Sequence, residues 1–584
     1  MKALLVAVSL LAAGSAFSQD GRALLEAKGC LGCHAFDAAK VGPPFNDVAA
    51  KYKDDRHAEA KLVAKLKAGE GHPIKVEASD AELSALVKTV LAAAAAGKPA
   101  VAKAAPAEKG PTNPNNALCL GCHGNPDFTP HIDAAAFEKS VHAPRNCTDC
   151  HGDMGGIPHT KIAPSHDARS LAIIKNCGGC HTENLKSYRD TYHGQVTTLG
   201  YAFTAKCFDC HGTHNILHVK DPASSVHPNN RLHTCQKCHV GATPGFVTFQ
   251  PHANHTNLQR YPYTYLAWHF MAGLLLGTFA FFWTHSALWF YREYRDRREG
   301  KLRTHVATGE LALPPGKRYQ RFNGWWRLAH LVFALTLMVL TLTGMTLFYA
   351  HSAWAPEVSK ALGGPRTTGL IHRVAAVMFA AVFIAHLGYM LVHLGRRWRT
   401  FNWLGPDSLI PWIQDFKDIW AMFKWFIGKG PRPVFDRWTY WEKFDYWAPF
   451  WGVTIIGVSG LMLWFPKVTA FFLPGWTFNV AMIAHGEEAF LAAVFLFTVH
   501  FFNNHFRPEK FPLDTLMFTG SMPIELFKHE HGLHYERLVR SGELQRYLVQ
   551  EPSRPMALGS KILGFTLIGI GLALLALVLI GFST

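Results

Sequence analysis

The sequence predicts a mainly α-helical membrane protein with an exported, cysteine-rich N-terminal half. Two observations predict this architecture. Six apolar stretches in the second half are each long enough to cross a bilayer. Six copies of the pattern Cys-x-x-Cys-His lie in the first half and use all 12 cysteines of the chain. We therefore expect, in order, a signal peptide, a small helical domain, a linker, a module with little secondary structure and a six-helix transmembrane bundle.

Residues 1–18 have the features of a secretory signal peptide. Lys2 is followed by an apolar run over residues 3–13 and by the small residues Ala16 and Ser18 before Gln19. The run is too short to span a bilayer, which makes an uncleaved anchor the less favoured alternative. The part of the chain that follows is therefore expected outside the cytoplasm.

Each Cys-x-x-Cys-His pattern is a candidate site for one covalently attached haem. The two thiols can add to the two haem vinyl groups while the adjacent imidazole ligates the iron. Disulfides, zinc sites and redox motifs do not need a histidine after every second cysteine, and no cysteine remains for them. The sequence therefore predicts six haems c. The attachment cysteines are Cys30, Cys33, Cys119, Cys122, Cys147, Cys150, Cys177, Cys180, Cys207, Cys210, Cys235 and Cys238, and the proximal ligands are His34, His123, His151, His181, His211 and His239.

Residues 19–97 form the predicted first domain. The motif that ends at His34 is followed by Val41-Gly-Pro-Pro-Phe45 and by an amphipathic helix near residues 80–91. On these features the segment resembles a small helical monohaem cytochrome c. A methionine usually supplies the sixth iron ligand in that family, but the chain has none between Met1 and Met154. We expect His72 to replace it, with His57 or a five-coordinate iron as alternatives.

Residues 98–115 are rich in Ala, Pro and Lys, a composition that tethers domains without packing between them. The five-haem module over residues 116–260 has short polar segments between its motifs and cannot bury a conventional core. The haems themselves are expected to be the core.

Histidines outside the motifs are abundant in this module, and they look like the distal ligands of multihaem cytochromes c. An iron with a histidine ligand on each face of its haem carries electrons without binding substrate. The candidate distal ligands are His142, His159, His193, His214 and His227. The reserves are His131, His166, His218, His233, His252 and His255.

The predicted spans in the second half are residues 265–291, 325–350, 368–393, 446–466, 479–503 and 558–582. The first five belong to a transmembrane domain over residues 261–510, and residues 511–584 hold a cytoplasmic segment and the last span. Basic residues flank the spans at 292–303 and 396–399, whereas the loops near Glu357 and Pro474 carry few. The basic side is therefore expected in the cytoplasm, in agreement with an exported N-terminus.

Histidines inside predicted spans are costly unless they have a function. Arg327-x-x-His330 opens the second span, and His372, His485 and His500 lie in the third and fifth. Over residues 320–510 the chain resembles the cytochrome b subunit of formate dehydrogenases and nickel-iron hydrogenases. That resemblance implies two haems b, one held by His372 and His485 and the other by His330 and His500.

Other polar residues in the spans leave alternatives open. His386 falls fourteen residues after His372 on nearly the same helical face and competes with His330. His269 and His285 in the first span can ligate haem, line a quinone pocket or hydrogen-bond to neighbouring helices. Two sets of residues can accept quinol protons, and either set can be merely interfacial. One set is Glu487 and Glu488, and the other is Asn504, His505 and His393.

The predicted function follows from one polypeptide that carries haems b in the membrane and haems c outside it. We expect the haems b to accept electrons from quinol and the six haems c to pass them to a periplasmic or outer-membrane acceptor. The reverse flow, from a periplasmic donor to quinone, would use the same haems. The alternatives are a terminal reductase of nitrite, sulfur oxyanions or metal ions, and an anchor subunit of a periplasmic dehydrogenase. The net charge of +16 is explained by basic residues beside the spans rather than by nucleic acid. The expected location is the bacterial inner membrane, with the haem c domains in the periplasm.

Overall fold

The structure is a computed structural model. It describes residues 24–25, 28, 30–36, 43–53, 55–68, 76, 78–92, 114–152, 154, 159, 165–300 and 316–584. The chain divides into two compact units, Met1–Gly110 and Pro111–Thr584. The predicted signal peptide and nearly all of the predicted linker lie outside the described residues.

The N-terminal unit is a small helical domain. Its helices are α1 (Cys30–Cys33), α2 (Phe45–Lys51), α3 (Ala58–Ala68) and α4 (Asp80–Ala92). Helix α4 begins with a reciprocal cap, in which the Ser79 backbone N–H donates to the Glu82 carboxylate at 2.8 Å and the Glu82 N–H donates to the Ser79 hydroxyl at 3.3 Å. Apolar side chains of α2 and α4 form one buried cluster with two leucines that precede α1. The cluster consists of Leu24, Leu25, Phe45, Leu83 and Leu86.

The second unit starts with a module of short helices, each close to a Cys-x-x-Cys-His motif or between two motifs. These helices are α5 (Ala117–His123), α6 (Ala134–Glu138), α7 (Cys147–Cys150), α8 (His166–Cys180), α9 (Thr182–Arg189), α10 (Tyr192–Thr198), α11 (Cys207–His211) and α12 (Arg231–Gln236). Few large apolar side chains are buried in this region. Its packing therefore depends on something other than a conventional hydrophobic core.

Six long apolar helices follow, and the mainly α-helical prediction with six spans is confirmed. They are α13 (Pro262–Arg298), α14 (Gly324–Phe348), α16 (Pro365–Arg396), α18 (Tyr440–Trp464), α20 (Trp476–Phe495) and α24 (Arg554–Ser583). Helix α20 continues to Phe506 through two turns of wider, π-type geometry, Leu496–His500 and Phe502–Phe506. Such turns are frequent at functional sites.

Shorter elements lie between the long helices. They are α15 (Ala355–Ala361), α17 (Ile413–Phe426), α19 (Pro466–Phe472), α21 (Leu516–Thr519), α22 (Ile524–Glu530) and α23 (Gly532–Arg540). Three short strands, β1 (Lys317–Gln320), β2 (Ser521–Pro523) and β3 (Leu548–Gln550), form an antiparallel sheet with β1 in the centre. Tyr319 stacks flat on Phe527 with ring centres 3.8 Å apart, which attaches the sheet to α22.

The two ends of the helix bundle differ in what they carry. We call the end near Arg298 and Arg396, which also carries the sheet, the basic end. We call the other end, which contacts the short-helix module, the module end. Thr243 donates from its hydroxyl to the Ala470 carbonyl at 3.1 Å, and Leu199 packs against Ala350 in this contact.

Candidate haem sites

In the N-terminal unit, His34 is positioned by the loop that precedes α2. Its Nδ1 donates to the Pro43 carbonyl at 2.7 Å, and its ring stacks on Phe45 at 5.0 Å between ring centres. A bond from Nδ1 to a carbonyl fixes the tautomer that leaves Nε2 as the metal ligand. His72, the expected sixth ligand, lies outside the described residues, and the alternative His57 is exposed in the turn before α3.

In the short-helix module, each motif histidine faces one histidine from elsewhere in the module. The facing rings are not in van der Waals contact. The distances between ring centres are 6.1 Å for His123 and His159, 6.1 Å for His151 and His214, 6.0 Å for His181 and His142, 6.4 Å for His211 and His252, and 6.0 Å for His239 and His193.

This spacing fits an iron between each pair of imidazoles. A metal–imidazole bond is about 2 Å long, and adding roughly 1 Å from nitrogen to ring centre on each side separates the ring centres by about 6 Å. Burial lowers the pKa of His193 to about 4, helped by the adjacent His239. A buried imidazole with such a pKa stays neutral, which is the form that ligates metal.

Four of the five predicted distal histidines each face a motif histidine, and the fifth, His227, does not. The four are His142, His159, His193 and His214. His252, a reserve in the sequence analysis, faces His211 where His227 was expected. The His227 Nδ1 instead accepts from the backbone N–H of Asn229 at 3.4 Å. His252 lies before the first long helix, in a stretch without a motif. A hydrogen bond to Ser187 at 3.1 Å and one to the Asn184 backbone orient its ring.

Consecutive motifs touch each other. The Asn116 side chain joins the first two, because it accepts from the Cys147 backbone N–H at 2.9 Å and donates to the Arg145 carbonyl at 2.9 Å. The thiols of Cys177 and Cys207 are within hydrogen-bonding contact. Adjacent motifs would therefore hold closely packed haems.

Inside the bundle, the four histidines implied by the cytochrome b resemblance form two pairs. His372 of α16 and His485 of α20 lie near the module end with ring centres 6.3 Å apart. His330 of α14 and His500 lie near the basic end, 6.5 Å apart. His485 and His500 are fifteen residues apart along one helix, or about 22 Å at 1.5 Å per residue, which suits two haems in a bilayer core about 30 Å thick.

Neighbouring helices orient the pair near the module end. Thr343 donates to the Val339 carbonyl at 2.7 Å and can therefore accept from His372 Nδ1 at 2.8 Å. His485 Nδ1 donates to the Ile456 carbonyl at 3.0 Å. Both contacts leave Nε2 for iron.

Glycines allow this close approach. A Cβ at Gly344 would lie 3.2 Å from His372 Cε1, and one at Gly460 would lie 3.0 Å from His485 Cε1. Both distances are shorter than an ordinary van der Waals contact.

The pair near the basic end has polar neighbours of a different kind. The Asp445 carboxylate lies 3.3 Å from His500 Nδ1. The Asn504 amide lies 3.2 Å from the same nitrogen and also donates to the His500 carbonyl at 3.0 Å. His505 Nδ1 accepts from the Asp514 backbone N–H at 3.3 Å. Asn504 and His505, two of the candidate proton acceptors, therefore lie next to this pair.

The competing histidines have hydrogen-bond partners of their own. His386 Nε2 meets the Tyr446 hydroxyl at 3.0 Å, and His285 Nε2 meets the Tyr440 hydroxyl at 2.5 Å. His269 donates to the Tyr265 carbonyl one turn earlier, at 2.9 Å. His386 and His285 thus hydrogen-bond to a neighbouring helix, whereas His269 bonds within its own helix.

The remaining candidates for accepting quinol protons lie on different helices, Glu488 on α20 and His393 on α16. Glu488 is 3% exposed, and its Oε2 has no hydrogen-bond partner among the described residues. His393 stacks on Tyr389 at 5.7 Å. Two histidines of the segment before the last span have different partners: His529 contacts Arg432, whereas His531 donates to the Asp436 carbonyl at 2.8 Å. In the part of the chain that the structure describes, no group of three or more His, Cys, Asp or Glu side chains has a metal-binding arrangement.

The histidine pairs of the second unit open into one connected cavity of about 5160 Å³. A site for one small molecule measures roughly 300–1,000 Å³, so this cavity is large enough for several large planar groups. At the module end Phe246 lies between His239, at 5.0 Å, and Phe478 of α20, at 6.0 Å between ring centres. Asn479 and Gln250 exchange two hydrogen bonds beside it, of 2.8 and 3.2 Å.

The fold and His34 site of the N-terminal unit define a small helical haem c domain of the electron-transfer class. Residues 18–88 match the family model for cytochrome c. The chain belongs to the cytochrome c family through this unit.

The similar proteins match the N-terminal unit. The chain is 40% identical to cytochrome c-551 of Pseudomonas aeruginosa over 93 residues, 15% of this chain and 89% of that protein. It is 35% identical to cytochrome c-552 of Nitrosomonas europaea over 92 residues, 15% of this chain and 87% of that protein. A shorter match, 52% over 46 residues, covers 8% of this chain and 49% of cytochrome c-551 of Allochromatium vinosum. No solved structure matches the chain.

Proposed function

We propose that the chain is a membrane-bound respiratory electron transfer protein that oxidises quinol and delivers electrons to a periplasmic or extracellular acceptor. It carries six haems c and two haems b. It lies in the inner membrane with the basic end in the cytoplasm and the module in the periplasm. Its partners are the quinone pool and an acceptor protein in the periplasm or outer membrane.

One observation supports this proposal above the others: seven histidine pairs of one chain have the spacing of two imidazoles on one iron. Five pairs lie in the short-helix module and two lie in the bundle, between 6.0 and 6.5 Å. When bound, haem supplies reversible one-electron chemistry, and two histidine ligands leave no open position for a substrate. This pattern favours a conduit over a terminal reductase.

The contact between module and bundle supports electron exchange within one polypeptide. Gly475 donates to the Gly245 carbonyl at 2.8 Å, and the Asn479–Gln250 amide pair lies one turn further on. These bonds hold the segment after the fifth motif against the end of α20 that carries His485. An anchor subunit would instead need a separate partner chain for this step.

Quinol oxidation also requires groups that accept protons. His393 and His505, which lies near His500, are the candidates at the basic end, where Asn504 can only hydrogen-bond. Glu487 and Glu488 are the candidates near His485, and the unpartnered Oε2 of the buried Glu488 is an available acceptor.

The test is a pyridine haemochrome spectrum of the purified protein, followed by addition of a menaquinol analogue in detergent. We expect a ratio of six haems c to two haems b, with full reduction by the quinol and no effect of carbon monoxide. Absence of haem b would favour the anchor role. A haem c that binds carbon monoxide or nitrite in the unmodified protein would favour a terminal reductase.

A further inference from the structure

Helix α17 (Ile413–Phe426) lies at the basic end and has two different faces. Its inner face packs on the bundle: Phe426 meets His285 at 5.1 Å and Phe423 meets Phe281 at 6.3 Å between ring centres. An ion pair of 2.9 Å between Asp415 and Lys443 fixes the same face, and both side chains are 9% exposed. The helix therefore has a fixed rotation about its own axis.

The outer face carries large apolar side chains that nothing in the described chain covers. Ile413, Phe416, Trp420 and Ile427 are 57%, 69%, 64% and 60% exposed. Their spacing of three, four and seven residues places them in one stripe along the helix. Four such residues in one stripe are not the scattered single apolar residues of an ordinary water-exposed surface.

Lysines flank this stripe. Lys417 and Lys424 are exposed on the helix beside the stripe, and Lys429 is exposed in the turn after the helix. The Lys424 ammonium lies 5.7 Å from the centre of the Trp420 ring. The helix's own acidic groups are less available, because Asp415 is paired with Lys443 and Asp418 accepts from Gln414 at 2.8 Å. The outer face is thus apolar with a positive border.

The depth of α17 along the bundle agrees with a membrane interface. Its contacts on α13, at Phe281 and His285, lie in the last apolar turns of that spanning helix, before the basic residues from Arg292 onward. On α13 itself Phe290 and Tyr291 are 51% and 56% exposed. The stripe therefore lies near the end of a spanning helix that carries other exposed aromatic side chains, at the level where aromatic residues and lysines accumulate.

We propose that α17 is an in-plane membrane helix that binds the anionic headgroup layer at the basic end. Its apolar stripe is buried at the boundary between headgroups and acyl chains. Lys417, Lys424 and Lys429 contact phospholipid phosphate groups. This interaction is separate from the proposed electron transfer and does not depend on it.

The burial of the stripe is tested by spin labelling in proteoliposomes that contain phosphatidylglycerol. A nitroxide is placed on Phe416→Cys and, as the control, on Arg546→Cys, whose native side chain is 77% exposed. We expect oxygen to relax the label at 416 more strongly than a water-soluble nickel chelate, and the reverse at 546. The parent chain, treated identically, measures any labelling of native cysteines.

Two results at position 416 would overturn the proposal. Nickel accessibility equal to that at 546 would show that the stripe faces water. Protection from both reagents would show that a protein, such as a second copy of the chain, covers the stripe.

The role of the lysines is tested with the triple variant Lys417→Gln, Lys424→Gln, Lys429→Gln in nanodiscs with spin-labelled phosphatidylglycerol. Association of the labelled lipid should fall roughly fivefold per lysine removed. The control variant, Lys61→Gln, Lys67→Gln, Lys88→Gln, makes the same charge change on exposed lysines of the N-terminal unit. Equal lipid association in the two variants would refute binding by the α17 lysines.

Discussion

His252 faces His211 across the fourth motif of the module, with ring centres 6.4 Å apart. Ser187 holds the Nδ1 of His252 at 3.1 Å, which leaves Nε2 directed at the motif. His227, which lies closer in sequence, faces no motif histidine in the part of the chain that the structure describes, and its Nδ1 accepts from the Asn229 backbone N–H at 3.4 Å. The geometry therefore favours His252 as the distal ligand of the fourth haem.

Replacing His252 by Ala should open one iron of the module. We expect a single c-type haem to become high-spin and to bind carbon monoxide, because the proximal His211 remains and the sixth position is vacated. Electron paramagnetic resonance and a carbon monoxide difference spectrum measure the two effects. The matched variant His227→Ala should leave both spectra unchanged, and the opposite result would assign the ligand to His227.

The pairing in the bundle predicts that His330 and His386 differ in their effect on haem b content. His330→Ala removes one imidazole of the pair with His500 and should lower the haem b to haem c ratio by about half. His386→Ala removes only a hydrogen bond to Tyr446, worth about 1 kcal/mol, and should keep the ratio. The pyridine haemochrome spectrum measures both; loss of haem b in His386→Ala alone would mean that His386 is the ligand.

The sequence was informative where chemistry fixes local spacing. Apolar length predicted the six long helices, and the amphipathic pattern predicted α4. The pairs in the bundle, His372 with His485 and His330 with His500, were implied by the resemblance to a cytochrome b subunit. Helix geometry agreed with them, because distance along a spanning helix gives depth in the membrane.

The distal histidines were harder to predict for a physical reason. In the module, the chain is irregular between short helices, and sequence distance there does not give distance in space. His142 precedes His181 by 39 residues and His252 follows His211 by 41, yet each pair comes within 6.4 Å. The apolar stripe on the outer face of α17 was not predicted from the sequence. The apolar run there is too short to be recognised as a membrane span.

A substitution at Gly460 should disturb the haem b site near the module end. Gly460→Ala places a methyl group 3.0 Å from His485 Cε1, and displacing the ring costs about 1–3 kcal/mol. We expect lower haem b occupancy or a shifted midpoint potential for one haem b. Gly457→Ala on the same helix is the control, because no atom lies within 4 Å of the added methyl group. Equal potentials and occupancies in the two variants would show that this close contact is unimportant.

Buried charges at the basic end stabilise the attachment of α22 to the bundle. Lys510 lies 3.2 Å from Glu530 and 2.9 Å from Asp514, and Arg507 contacts Glu530 from the other side. Burial alone would raise the pKa of Glu530, but Lys510 and Arg507 outweigh it and hold that pKa well below its usual range. The carboxylate is therefore charged and paired.

Glu530→Gln should destabilise the folded protein by about 1.5–3 kcal/mol, because Lys510 and Arg507 would each keep only one of their two carboxylate partners, Asp514 and Glu509 respectively. Since the folded-state pKa of Glu530 is below the unfolded value of about 4.3, its contribution is present at neutral pH and is lost as the pH falls through the folded-state pKa. The stability gap between parent and variant should thus narrow in acid. Urea unfolding in detergent, followed by tryptophan fluorescence at several pH values, measures this gap. The control Glu525→Gln, on the same helix with a side chain 79% exposed, should change stability by less than about 1 kcal/mol; similar losses in the two variants would contradict a special role for the buried pair.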